Sequence, residues 1–249
     1  MSATRLVVDV VDGRHRVWMR HGLLRAQRLH GPPDRARVAL VGQTALLLGG
    51  DEVELQIEVG AGAVLELSEV AGTVAYDGRG RPAVWATSIT LGRGAQLTWA
   101  GEPLVVADGA DVTRCTSIGL ADGASATLRE TVVLGRSGEV GGALRSRVRV
   151  HREGRPILFE DLQLDPRDRF GPGLLGRHRV VDSLLALGAE PPDIGDGAVR
   201  FELVEPCSTL TRYLGSDLAE SPLARPPAQA VEVGNGLRHP IRIPTDSAR

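Results

Sequence analysis

A chain of 249 residues with 42% hydrophobic content suits a single all-β domain with one sizeable core, and its 3% aromatic content means that the core is built from Val, Leu, Ile and Ala. A formal charge of −2 with both signs interspersed lacks the basic excess expected of a protein that binds nucleic acid. All 29 basic residues are arginine, which excludes a Schiff-base lysine and a Walker-type phosphate lysine.

The first strongly patterned segment begins at Leu48, where Gly49, Gly50 and Asp51 make a turn. After it Val53, Leu55, Ile57 and Val59 fall at every second place, the spacing of a strand with one buried face. Gly60 to Gly62 reverse the chain, and Val64, Leu65 and Leu67 resume an apolar pattern, predicting two strands joined by a short glycine turn. The unit of strand, glycine turn, Gly-Ala and strand recurs, with its Gly-Ala pairs at Gly62, Gly94, Gly109 and Gly123. The last three are spaced about 15 residues apart, the length of one coil or one strand pair in a layered β structure.

Strands continue through residues 126–135 and 143–165, where Arg-Glu-Gly-Arg makes a turn between two of them. Leu144, Ser146, Val148 and Val150 share one side of the first, and Arg145, Arg147 and Arg149 share the other, as a solvated face or as a surface that docks a protein. Past Pro166 the three-and-four spacing of Val180, Val181, Leu184, Leu185 and Leu187 predicts a helix closed by Gly188. A strand is expected over 198–204, and a second short helix from a Ser208 cap to about Leu214. The organisation read from this is one β-rich domain over residues 1–219 and a flexible Pro, Ala and Arg-rich tail over 220–249. The fold class is all-β, a layered, β-helix-like stack of antiparallel and mixed strands with about two short helices in the C-terminal third.

Cys115 and Cys207 are isolated, so neither a zinc ribbon nor a disulfide framework is indicated and a reducing, cytoplasmic compartment is expected. No stretch of 18 uninterrupted apolar residues exists, so no membrane span is expected. The chain carries no Walker, Rossmann or HExxH motif, and GRSGE at 135–139 lacks the second glycine of a nucleophile elbow. Its six histidines stand singly, as surface residues rather than ligands. Glu130 and Glu160 are more informative, because each stands among apolar residues on a strand, where a carboxylate must be paired, hydrated or at an edge. Two readings stay open: ion pairs with neighbouring arginines, or a wet interior path for a divalent cation. An enzyme on a β-helical scaffold would use paired acids such as Glu130 and Asp161 on a carbohydrate.

Taken in order, Gly49-Gly50-Asp51, Thr73 and Tyr76, then Trp99, Glu102 and Pro103, then Gly135, Arg136 and Glu139, then Gly154, Arg155 and Pro156 resemble the urease accessory protein family UreD, called UreH in some organisms. The resemblance covers roughly residues 20 to 190, and departs from the family where Val74 replaces a lysine and Arg129 a tryptophan. It implies a non-enzymatic, chaperone-like scaffold that binds the urease apoprotein and UreF, and through UreF the GTPase UreG. It also implies delivery of nickel to the urease active site along an internal polar passage, with no tightly bound cofactor. Glu130 and Glu160 match acidic positions of the family and are the first candidates for passage residues.

Overall fold

The computed structural model describes residues 3–171 and 173–224. The chain enters through β1 (Thr4–Val11), β2 (Arg14–Arg20), β3 (Leu24–Arg28) and β4 (Ala36–Gly42). It then winds in coils: β5 (Glu52–Val59) and β6 (Val64–Glu69), and past β7 (Thr73–Ala75), β8 (Ala83–Leu91) and β9 (Gln96–Ala100). The next coil follows β10 (Leu104–Val106) as β11 (Asp111–Leu120) and β12 (Ser125–Leu134). The closing strands are β13 (Ala143–Arg152), β14 (Arg155–Leu164), β15 (Val180–Leu187), β16 (Val199–Glu202) and β17 (Thr209–Gly215).

These strands form two facing sheets, one of seven strands in the order β14-β13-β11-β8-β5-β1-β2 and one of ten along β16-β17-β15-β12-β9-β6-β4-β3 with β7 and β10 attached. Successive strands of a coil lie in opposite sheets. β5, β8, β11 and β13 stack in parallel in the first sheet, and β4, β6, β9 and β12 do so in the second. Antiparallel pairs close both ends, β1–β2 and β3–β4 at one, β13–β14 and β12–β15–β17–β16 at the other. The expected all-β layered stack is what the chain forms.

The Gly60–Gly62 turn, expected to join two paired strands, does not make a hairpin. β5 and β6 are not hydrogen-bonded to each other, since the Gly60–Gly62 corner carries the chain across from one sheet to the other. Gly62, Gly94 and Gly123 have φ of 66°, 62° and 67°, left-handed values that a side chain resists. The corners stack through Gly62 N–H to Arg93 O at 2.9 Å and Gly94 N–H to Asp122 O at 3.0 Å, while Ala63, Ala95 and Ala124 behind them are buried. Gly109 lies at the opposite corner, between β10 and β11, so the 15-residue interval is half a coil. Leu55, Ile57, Leu65, Ile89, Leu91, Leu97 and Ile118 fill the interior between the coils, each fully buried. Each such side chain contributes roughly 1.5–3 kcal/mol.

The two helices expected after Pro166 are strands. Val180–Leu187 is β15, buried on both faces: Val181, Leu185 and Leu187 join the main core, while Val180 and Leu184 pack with Tyr213 and Leu223 in a second cluster. Apolar residues at both parities of a strand imitate helical spacing, and here the central position between β12 and β17 produced them. The segment after Ser208 is β17, and Ser208 Oγ accepts from Gly188 N at 3.0 Å instead of capping a helix. Among the described residues the short helices are two 3₁₀ turns, Leu218–Glu220 and Pro222–Ala224. Strand β16 lies within the segment expected to be extended, and the Glu153-Gly154 turn joins β13 to β14 with φ of 47° and 76°. Within the expected tail, Ser221 and Leu223 are buried, and residues 225–249 lie outside the described residues. His15 is not a surface residue: it is buried, its Nε2 accepting from Val64 N at 3.0 Å.

Candidate functional site

Alternation along each strand decides what faces the space between the sheets. In β12 the inward positions run Ala126, Leu128, Glu130, Val132 and Leu134, so Glu130 takes a core position. In β14 Glu160 occupies the inward parity shared with Leu158, Leu162 and Leu164, and it faces Glu130's strand from the other sheet. The two glutamates singled out in the sequence, far apart in the chain, therefore line one cavity of about 40 Å³ together with Thr116, Ser146, Ser183 and Arg212. That is room for a few water molecules, each needing roughly 10–15 Å³ of such volume.

Both carboxylates are held by arginine. Glu130 Oε1 accepts from Thr116 Oγ1 at 2.9 Å and lies 3.0 Å from Arg114 Nη2. Glu160 takes two bonds from Arg212, at 2.7 and 2.8 Å, and Arg212 Nε also donates to Ser183 Oγ at 3.1 Å. The bidentate fork fixes Glu160 more firmly than one guanidinium nitrogen and one hydroxyl fix Glu130. Arg114 is 8% exposed and its Nε has no hydrogen-bond partner among the described residues, so the guanidinium is only partly satisfied by them.

The polar lining extends inward to Glu69, which the sequence reading did not single out. The second sheet aligns Ser68 with Ala100 and Ala100 with Arg129, so the next rung is Glu69, Gly101 and Glu130. Beyond Glu130 the same rung continues to Ser183 and Arg212. Five positions at roughly 4.8 Å per strand make a row about 19 Å long. Gly101 leaves it bare between the carboxylates, and a Cβ there would approach Arg129 O to 2.5 Å. Glu69 accepts from Trp99 Nε1 at 3.2 Å and from Glu102 N at 3.2 Å. Burial pushes its carboxyl up to about 7, against the opposing pull of the Arg114 guanidinium, while Glu130 adds to the rise. The Trp-x-x-x-Pro segment thus holds an acid, and the inward parity of Leu65 and Leu67 was the signal that could have found it.

Asp161 does not meet Glu130. It follows Glu160 on β14 and so lies on the outer face, where Arg145 binds it at 2.9 and 2.7 Å and Arg147 Nε stands 3.3 Å away. The pair expected of a carbohydrate-processing enzyme is thus divided between the two sides of a sheet. Arg129, the departure from the family pattern, pairs with fully buried Asp182 at 3.0 and 2.8 Å, and Thr131 and Ser221 complete that carboxylate's bonds. This cluster ties the 3₁₀ turns to the second sheet. Among the described residues no three His, Cys, Asp or Glu side chains stand together as a metal site. The row offers scattered carboxylates and hydroxyls, which suit weak, exchangeable contact with a hard or borderline cation rather than a cage.

The family model described as UreD urease accessory protein matches residues 2–231. Among similar proteins, the urease accessory protein UreD 1 of Streptomyces griseus is 51% identical over 64% of this chain and 63% of its own length. The chain thus spans just under two thirds of that relative. UreD of Streptomyces coelicolor is 36% identical over 82% of both chains, and UreD of Frankia casuarinae 40% identical over 68% of this chain and 56% of its own. Among the described residues no helix is long and apolar enough to cross a membrane.

Proposed function

Since the chain belongs to the UreD urease accessory protein family, we propose that it is a non-catalytic maturation factor that passes nickel to apo-urease along the row from Glu69 to Arg212. The observation that carries this reading is the placement of Glu69, Glu130 and Glu160 on the interior side of two facing sheets, with serine and threonine hydroxyls between them. A core built for stability alone would place apolar residues there.

A carrier needs ligands that let go. Arg114 holds Glu130 and Arg212 holds Glu160 while the row is empty of cargo, and a divalent ion takes each carboxylate in turn as its guanidinium swings aside. The partners in this reading are apo-urease, UreF and, through UreF, UreG, acting in the cytoplasm.

The test is co-expression of urease and its accessory proteins with this chain carrying Glu69→Gln, Glu130→Gln and Glu160→Gln together. The expected result is that UreF and apo-urease still co-purify while urease nickel content falls about tenfold, equivalent to ~1.4 kcal/mol at a limiting equilibrium. Urease with full nickel from the triple variant, or from cells lacking this protein, would sink the reading.

A further inference from the structure

The outer face of the seven-stranded sheet carries a second ordered surface, unconnected with the interior row. On four successive rungs an acid or amide of β5 stands at one side and a base of β13 at the other. The middle two read Glu54, Ala86, Cys115, Arg147 and Gln56, Ser88, Ser117, Arg149. Glu52 with Arg145 and Glu58 with His151 terminate the flanking rungs. The ridges enclose a groove with a cavity of about 270 Å³, floored by the short side chains of β8 and β11.

From this geometry we infer that the groove docks an amphipathic α-helix of a partner protein, with basic residues along one flank and acidic residues along the other. Width selects a helix. Three strand spacings separate β5 from β13, about 14 Å, which a helix 10–12 Å across fills and a single extended strand does not. The rungs run for six residues of strand, about 20 Å, or nearly four helical turns. Charge selects the flanks. The acidic ridge repels nucleic acid and anionic lipid, and the basic ridge repels a uniformly basic helix, so only a two-signed ligand satisfies both.

The ridges have charge to give. Among the described residues Glu52, Glu54 and Arg149 form no ion pair, Arg149 lying instead over the Phe159 ring at 5.3 Å. Arg145 and Arg147 share Asp161, at 2.7 and 3.3 Å, and Glu58 pairs with Arg5 at 2.8 Å, so the charge open to a ligand lies at Glu52, Glu54 and Arg149. The short floor residues let the helix sit between the ridges, where the charge pairs lose part of their water and gain strength.

Cys115 on the floor reports occupancy. The full chain carrying Cys207→Ser is alkylated with and without a synthetic 18-residue helix that has Ala and Leu on one face, Arg on one flank and Glu on the other. We expect the peptide to slow Cys115 alkylation about tenfold at low salt, and a peptide of the same composition with mixed charges to leave the rate unchanged. Adding Arg147→Glu and Arg149→Glu abolishes protection by the two-signed peptide and creates it for one with Arg on both flanks. Equal protection by the ordered and mixed peptides, or no protection at low salt, overturns the inference. So does a thiol that is shielded without peptide and released when residues 225–249 are removed, since the chain's own end would then be the occupant.

Discussion

The middle coils and the closing strands use the same alternation to opposite ends. Between β5, β8 and β9 the inward positions are Leu55, Ile57, Ile89, Leu91 and Leu97, and the space is filled. Where β14, β15 and β17 close the stack, the inward positions include Glu160, Ser183 and Arg212, and the space is a cavity. The difference teaches that the apolar rungs of the parallel stack supply the stability, while polar groups collect toward the antiparallel end, the stack itself admitting inward acids only at Glu69, where β6 ends, and at Glu130, on its last strand.

The largest effect expected from that contrast is in the filled part. Leu97→Ala should destabilise by about 3 kcal/mol, seen as a lower denaturant midpoint, because the stacked coils cannot collapse around the gap. A loss under 1 kcal/mol would mean that the coils are looser than their burial implies. Next comes Glu69, the inner end of the row. A carboxyl raised by burial contributes stability fully below the ordinary carboxylate range, and that contribution is lost as pH rises through about 7. Chemical denaturation at pH 5 and pH 8 should therefore show the natural chain losing roughly 2 kcal/mol more than Glu69→Gln. Parallel pH profiles would remove burial as the cause.

Arg212→Ala should cost about 1–2 kcal/mol, less than for a fully buried pair, because Glu160 and Arg212 retain 23% and 18% side-chain exposure. The double change Arg212→Leu with Glu160→Leu should recover most of that loss, and a double variant as unstable as the single would show that the pair itself holds the closing strands. Ser146→Ala, which removes one hydroxyl from the cavity wall, should change stability by no more than about 0.5 kcal/mol.

The coils were legible because a turn needing left-handed glycines recurred at corners that must stack, as at Gly94 and Gly123. The same legibility misled once, since two strands joined by a glycine turn look alike in sequence whether they pair with each other or face each other across a core. β15 was unreadable for a different reason: only the presence of two cores, one on each side, explains apolar residues at both parities. Glu130 and Glu160 could be picked out as acids on apolar strands, but not that β14 folds back to bring the second opposite the first. Glu69 hid at the end of its strand, where an acid looks like the start of a loop.

The stacked corners at Gly62, Gly94 and Gly123 give the molecule a spine, and the longer, unequal connections of residues 70–82, 101–110 and 135–142 form its fore-edge. An insertion at the spine would separate two pages bound to each other by backbone hydrogen bonds. β7 and β10 bind the fore-edge as well, so there only an insertion at its exposed tips, Arg79-Gly80 or Arg136 to Gly138, does no more than lengthen a margin. Labels, fusions and natural length variation should accumulate on that side, leaving the binding of the coils untouched.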